Sequence, residues 1–189
     1  MTTITQSSSS NPGITAIHRT SCTSGRYCAG THEEGKQMPT FEQVTYIERD
    51  IQTVFNFHLD LNNLLKISPD DANLQIFHAP EKIEQGSRIG LFVKIGPITT
   101  TMETVVEILQ PPHKFVDRQI GGFFAKWVHT HLFEKVTRNK TKLTDRIEYS
   151  LPGGVFTNVV GGGIAQRKIE EMFRHRAERT KKLLEKESD

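Results

Sequence analysis

The chain has 189 residues, room for one domain of about 150 residues and a tail at the usual ~100–200 residues per domain. Its 24 Lys and Arg nearly cancel 22 Asp and Glu, and a net charge of +2 gives no electrostatic case for a dedicated nucleic-acid binder, which carries a basic patch or stripe. No apolar run approaches the ~20 residues of a membrane helix, and the opening MTTITQSSSS has neither the basic nor the apolar region of a secretory signal.

Residues 1–37 contain no Leu, Val, Phe or Trp and are dense in Ser, Thr and Gly. Such a segment cannot bury enough apolar surface to offset its ordering entropy, so it is expected to be a disordered leader before a domain at 38–187. Both cysteines, Cys22 and Cys28, fall in this leader. A domain without cysteine suits a reducing compartment, and a cytoplasmic location is expected. His18, Cys22, Cys28 and His32 are four soft ligands, but their H-x3-C-x5-C-x3-H spacing lacks the short knuckles of zinc sites. Chance placement in a polar tail accounts for them better.

Strand character begins at Phe41–Glu48. Asp50 can N-cap a short helix to about His58, with Ile51, Val54, Phe55 and His58 at helical spacing. A second short helix, Leu61–Ile67, ends at Ser68-Pro69. Six strand-like runs follow: Asn73–His78, Ser87–Ile95, Thr99–Leu109, Lys114–Gln119, Lys126–Thr137 and Lys140–Leu151, punctuated by Gly, Pro and Asn turns. Leu91, Val93, Ile95, Met102, Thr104, Val106 and Ile108 read as plain core. Gly161-Gly162-Gly163 does not fit a phosphate-binding loop and reads as a hinge into a helix from Ile164 to Glu187. Ala165, Ile169, Met172, Phe173, Thr180, Leu183 and Leu184 form its apolar stripe. Short turns between consecutive strands imply an antiparallel meander, because parallel neighbours need long crossovers. A seven-stranded sheet with one apolar face needs a cover, and only the last helix, about 36 Å long, can supply it. The expected class is α+β, a curved sheet wrapped around the C-terminal helix, with the two short helices closing one end of the gap between them.

The most informative stretch is KWVHTHLFE. Trp127, His129, His131 and Phe133 alternate, so all four fall on one face of a strand. Two imidazoles between an indole and a phenyl ring suit the wall of a partly polar cavity better than a dry core. On the next strand Leu143, Asp145, Ile147, Tyr149 and Leu151 share one parity, leaving Lys142, Thr144, Arg146 and Glu148 for solvent. Pairing odd with odd positions requires an odd-numbered loop, so three residues at Arg138–Lys140 are expected. His131 and Asp145 are then neighbours, either as an acid–base dyad or as a buried polar pair satisfying its own bonds. The second reading is preferred, since no nucleophile stands nearby. Phe115, Asp117 and Gln119 alternate in KFVDRQ and are expected to add a carboxylate and an amide to the same interior, the alternative being that Asp117 braces the Gly121–Phe124 turn. His129 and His131 are a usable metal pair, but a catalytic zinc needs a third ligand, so neither metal nor cofactor is expected.

MPTFEQ, FNFHLDLNNLLKISP, PHKFVDRQIGGFFAKWVHTHLFE, DRIEYSLPGG and MFRHR together resemble the START/Bet v 1-like superfamily (SRPBCC-type, the polyketide cyclase and lipid-transport superfamily). Within it, the chain is similar to small bacterial ligand-binding proteins. One departure is Gly122-Phe123-Phe124, where the family usually has Gly-Pro-Phe. The resemblance implies a helix-grip fold with a hydrophobic cavity between sheet and long helix. Fold alone does not select among that superfamily's carriers and enzymes. The expectation is a binder or carrier of a small hydrophobic ligand such as a lipid, quinone or polyketide-like molecule. Its cavity would be lined by Phe57, Phe92, Phe115, Asp117, Trp127, His129, His131, Phe133, Asp145, Tyr149 and Phe173. The alternatives are a cyclase or dehydratase using His131 and Asp145, and a protein-interaction module using Arg167, Lys168, Arg174, Lys181 and Lys182 on the final helix.

Overall fold

A computed structural model describes residues 39–95, 98–153 and 162–186. The expected leader, with its His18–Cys22–Cys28–His32 set, and Gly161 of the expected hinge lie outside the described residues. The element order is β1 (Thr40–Ile47), α1 (Ile51–Leu59), α2 (Leu61–Ile67), a 3₁₀ turn (Asp70–Ala72), β2 (Gln75–His78), β3 (Arg88–Ile95), β4 (Ile98–Gln110), β5 (Lys114–Gly122), β6 (Lys126–Thr137), β7 (Lys140–Ser150) and α3 (Gly162–Lys186). Among the described residues, no helix is long and apolar enough to cross a membrane.

Local chemistry fixes the helix boundaries. Asp50 Oδ1 accepts from Thr53 N at 3.0 Å and starts α1. Asp60 ends that helix and caps the next, accepting from Asn62 N at 2.9 Å. Ser68 precedes a proline and closes α2 in extended geometry. The strands form one antiparallel sheet ordered β1-β7-β6-β5-β4-β3-β2. It is the meander the sequence predicts, with β1 added beside β7. Irregularities in β2, β4 and β6 bend the sheet, and α3 crosses its concave side. This is an α+β helix-grip architecture.

Two of these irregularities correct the parity argument. The β6–β7 turn holds two residues, Arg138 and Asn139, because Thr137 pairs with Lys140. The odd residue is supplied by a bulge at Val136, and the odd-with-odd register survives: His131 pairs with Asp145 and Trp127 with Tyr149. In β4 a shift between Val106 and Ile108 turns the strand over. Leu109, not Ile108, therefore meets Phe115 and packs on the core. Thr144, expected to face solvent, is 6 % exposed, held between Val44 and Leu132 on its neighbouring strands.

The core divides around the site. Ile47, Val54, Phe55, Phe115, Phe133, Leu143 and Leu184 pack together at one end. Trp127, Ile147, Tyr149, Ile169 and Phe173 pack at the other. Ile89, Leu91 and Val106 form a third group against Leu61 and Leu64 of α2.

The turn after β5 depends on a glycine. Gly122 has φ +142°, and a Cβ there would sit 2.8 Å from the Thr101 carbonyl oxygen, which is backbone and cannot yield easily. Gly122→Ala is expected to cost about 1–3 kcal/mol, read as a lowered midpoint in urea unfolding at unchanged slope.

Candidate functional site: a cavity with a polar floor

Between the sheet and α3 lies a cavity of about 850 Å³. Its walls are largely apolar, from Leu61 and Leu64 of α2, Leu91 of β3, Met102 and Val106 of β4, and Met172 of α3. Asp71, Lys94, Ile164 and Lys168 line it while remaining exposed, and so mark its rim. One region of the wall differs, where β5, β6, β7 and α3 contribute Asp117, Gln119, His129, His131, Asp145 and Arg176.

Strand register assembles this group. Asp117 lies directly opposite His129, and Phe115 opposite His131, in the β5–β6 pair. His131 is opposite Asp145 in the β6–β7 pair. Asp145 Oδ1 is 3.1 Å from His129 Nε2 and 2.8 Å from His131 Nδ1. The first contact is a hydrogen bond; in the second the ring N–H is poorly aligned with the oxygen. His129 Nδ1 faces Asp117 Oδ2 at 3.5 Å, too long for a good hydrogen bond. Phe115 stacks on His131 with centroids 3.9 Å apart, and the edge of His129 meets Phe173 at 5.0 Å. These rings hold both imidazoles in place.

Two further groups were not picked out as site residues by sequence reasoning. His58 lines the cavity from α1, its Nδ1 bonded to the Val54 carbonyl at 2.7 Å, which leaves Nε2 as an acceptor. Arg176 reaches in from α3, donating to Ser68 Oγ at 3.2 Å with its guanidinium 5.3 Å from the Phe173 ring. The signal for Arg176 was present. It stands three residues after Phe173 and four before Thr180, within the stripe that packs on the sheet. Charge ordinarily belongs to the solvent face of such a helix, so pattern alone places an arginine there outside.

Burial sets the electrostatics. It pushes the His131 imidazolium down to about 3, helped by the neighbouring His129 and opposed by Asp145, so His131 is neutral at pH 7. Burial would raise Asp145, but the close approach of the His129 and His131 rings outweighs it and holds the carboxyl well below its usual range. Asp117 has no such support, and burial raises it. Burial also lowers His58 and Arg176. Asp117 Oδ2, Gln119 Oε1 and Arg176 Nε are buried without a hydrogen-bond partner among the described residues.

Of the sequence-predicted lining, Phe57, Phe115, Asp117, Trp127, His129, His131, Asp145 and Phe173 do meet at the cavity. Phe92 does not. It is 41 % exposed on the outer face of β3, against Phe77 at 4.8 Å, because the inward parity of that strand belongs to Ile89, Leu91 and Val93. Phe133 and Tyr149 face inward but are absorbed into the two end clusters, each 2 % exposed, and do not line the cavity. The turn at Gly122-Phe123-Phe124 is braced by Gln119 Nε2, which donates to the Phe124 carbonyl at 2.6 Å.

No family model matches the sequence, and no curated protein is significantly similar to it. Solved structures do share the fold. A START superfamily protein from Mycobacterium smegmatis aligns with TM-score 0.63 at 14 % identity, over 79 % of this chain and 99 % of that one. The ZhuI aromatase/cyclase from Streptomyces sp. R1128 aligns with TM-score 0.57 at 14 % identity, over 78 % and 92 %. The di-domain aromatase/cyclase StfQ of the steffimycin pathway aligns with TM-score 0.59 at 15 % identity, over 79 % of this chain and 51 % of that one. At such identities the likeness concerns the fold. The chain has the START/Bet v 1-like helix-grip fold.

Proposed function

We propose that the domain binds or carries one small, mainly apolar molecule with a polar or acidic group, of lipid, quinone or polyketide-like class. One observation carries the reading: a cavity of about 850 Å³ with mostly apolar walls, into which Asp117, Gln119, His129, His131, Asp145 and Arg176 bring a buried polar group. That volume lies within the ~300–1,000 Å³ of ordinary small-molecule sites. The ligand's body would lie against Leu64, Leu91 and Met172, and its polar group against Arg176 and Gln119. Both of those side chains have a buried polar atom without a partner among the described residues, a state worth about 1–3 kcal/mol to relieve. A cytoplasmic setting suits a described domain without cysteine.

The second reading is an acid–base enzyme, a cyclase or dehydratase, and the 2.8 Å approach of Asp145 to His131 favours it, as does the likeness to aromatase/cyclase structures. It ranks lower because efficient general acid–base groups titrate near the working pH, whereas burial pushes His131 down to about 3. Native mass spectrometry of protein purified under mild conditions tests the first reading. One copy of a small molecule per chain, released on unfolding, is the expected result. A bare chain that also gains no thermal shift from fatty acids, quinones or aromatic polyketides would count against it. His131→Ala separates the two readings: retained binding with abolished turnover of a substrate would establish the enzyme.

A further inference from the structure

The sequence supplies a His-x-His pair without a third ligand; the sheet register provides one. Asp117 of β5 and His129 of β6 are direct cross-strand partners, and His131 is two residues further along the same face. One donor atom from each of the three lies within 4.8 Å of the other two. Nitrogen and oxygen ligands about 2.1 Å from one ion stand roughly 3–4 Å apart, so small rotamer adjustments would close the set. We propose that Asp117, His129 and His131 bind a first-row divalent metal of the zinc, cobalt and iron(II) kind, with a coordination position left open toward the cavity.

A second feature points the same way. Metal-bound histidines usually give their other ring N–H to a carboxylate, which fixes tautomer and orientation. Asp145 occupies that place: its Oδ1 takes His129 Nε2 at 3.1 Å and lies 2.8 Å from His131 Nδ1. With the hydrogen of His129 on Nε2, the Nδ1 lone pair faces Asp117 Oδ2 at 3.5 Å. With Asp117 ionised, two acceptors then confront one another, and that oxygen is buried with no hydrogen-bond partner among the described residues. A cation between them turns a repulsion into two bonds. Charge agrees. Two carboxylates and Arg176, counted with imidazoles as neutral ligands, leave −1, and a divalent ion brings the floor to +1. Two imidazoles with one carboxylate are a ligand set used by zinc and by non-haem iron.

The site stands apart from the ligand reading and fails or holds separately. The test uses the full chain carrying Cys22→Ser and Cys28→Ser, which removes leader thiolates as competing ligands. Metal-free protein is titrated with cobalt(II) and followed by visible absorption, then challenged with zinc. One equivalent of cobalt with ligand-field bands, displaced by zinc, is expected. Affinity should fall at least tenfold in Asp117→Asn and His131→Ala and about 10–100-fold in Asp145→Asn, while His113→Ala, on the surface, changes nothing. Circular dichroism monitors folding, and if His131→Ala does not fold, the isosteric Asp117→Asn decides. Absence of a stoichiometric cobalt spectrum, or equal binding by Asp117→Asn, overturns the site. So would ¹⁵N chemical shifts of His129 showing a proton shared with Asp117 that added zinc does not displace.

Discussion

Unfolding free energy is expected to fall between pH 7 and pH 3, with one residue, His131, contributing on the order of 4 kcal/mol. Its folded pKa of about 3 lies below the unfolded value of 6.5. Above pH 6.5 both states are neutral and the contribution is fully present. As the pH falls from 6.5 to 3 the unfolded chain takes up a proton that the folded one refuses, and stability drops by about 1.4 kcal/mol per pH unit. His58, lowered by burial, acts with the same sign. Asp145, also lowered, adds a loss below the ordinary carboxylate range. Asp117 works in the opposite sense. Its raised pKa favours the folded state at low pH and costs stability as the pH rises past the unfolded carboxylate value. Guanidinium unfolding across this range should therefore show a long acid limb that becomes shallower in His131→Leu. An acid limb of unchanged slope in that variant would assign the proton uptake elsewhere.

Phe55→Ala is expected to destabilise the domain by about 3–5 kcal/mol, the usual cost of deleting a buried phenyl ring. Phe55 is 1 % exposed and meets Phe133 at 5.2 Å and Phe115 at 6.0 Å, both edge-on. It locks α1 to β5 and β6, and Phe115 in turn stacks on His131. The variant should lower the thermal midpoint and weaken ligand binding together. The same change at Phe92, on the outer face, is expected to cost far less. Comparable losses at both positions would mean that the outer Phe77–Phe92 pair carries structural weight equal to the core.

Most of the fold was legible because its elements are locally specified. α2 and β6 occupy the residues their patterns predicted, since Ser68-Pro69 stops one and strict alternation marks the other. Parity also placed His131 and Asp145 as neighbours, directly or diagonally, although for an incomplete reason; the folded register makes the pair direct. A bulge at Val136, invisible to an alternation argument, did what an odd loop was expected to do. Phe92 shows the opposite failure. An aromatic in an apolar strand was assigned to the cavity, while the parity of Leu91 and Val93 already placed it outside. Arg176 and the third donor to the His-x-His pair required tertiary knowledge. One arrives on a helix about 45 residues beyond His131, and the other through a register that only the folded sheet fixes. Sequence pattern tells which face a residue takes, and much less about which distant face it meets.

The central claim is that the cavity is the ligand site, and a titration followed by the fluorescence of Trp127, the chain's only tryptophan, tests it most directly. Fatty acids, quinones and polyketide-like aromatics would be titrated into the natural chain and into Val106→Phe, which places a ring in the cavity opposite Asp117. Saturable quenching at one ligand per chain is expected, lost or at least tenfold weaker in Val106→Phe while the variant stays folded. No saturable response to any of the three classes, or identical binding by the filled variant, would contradict it.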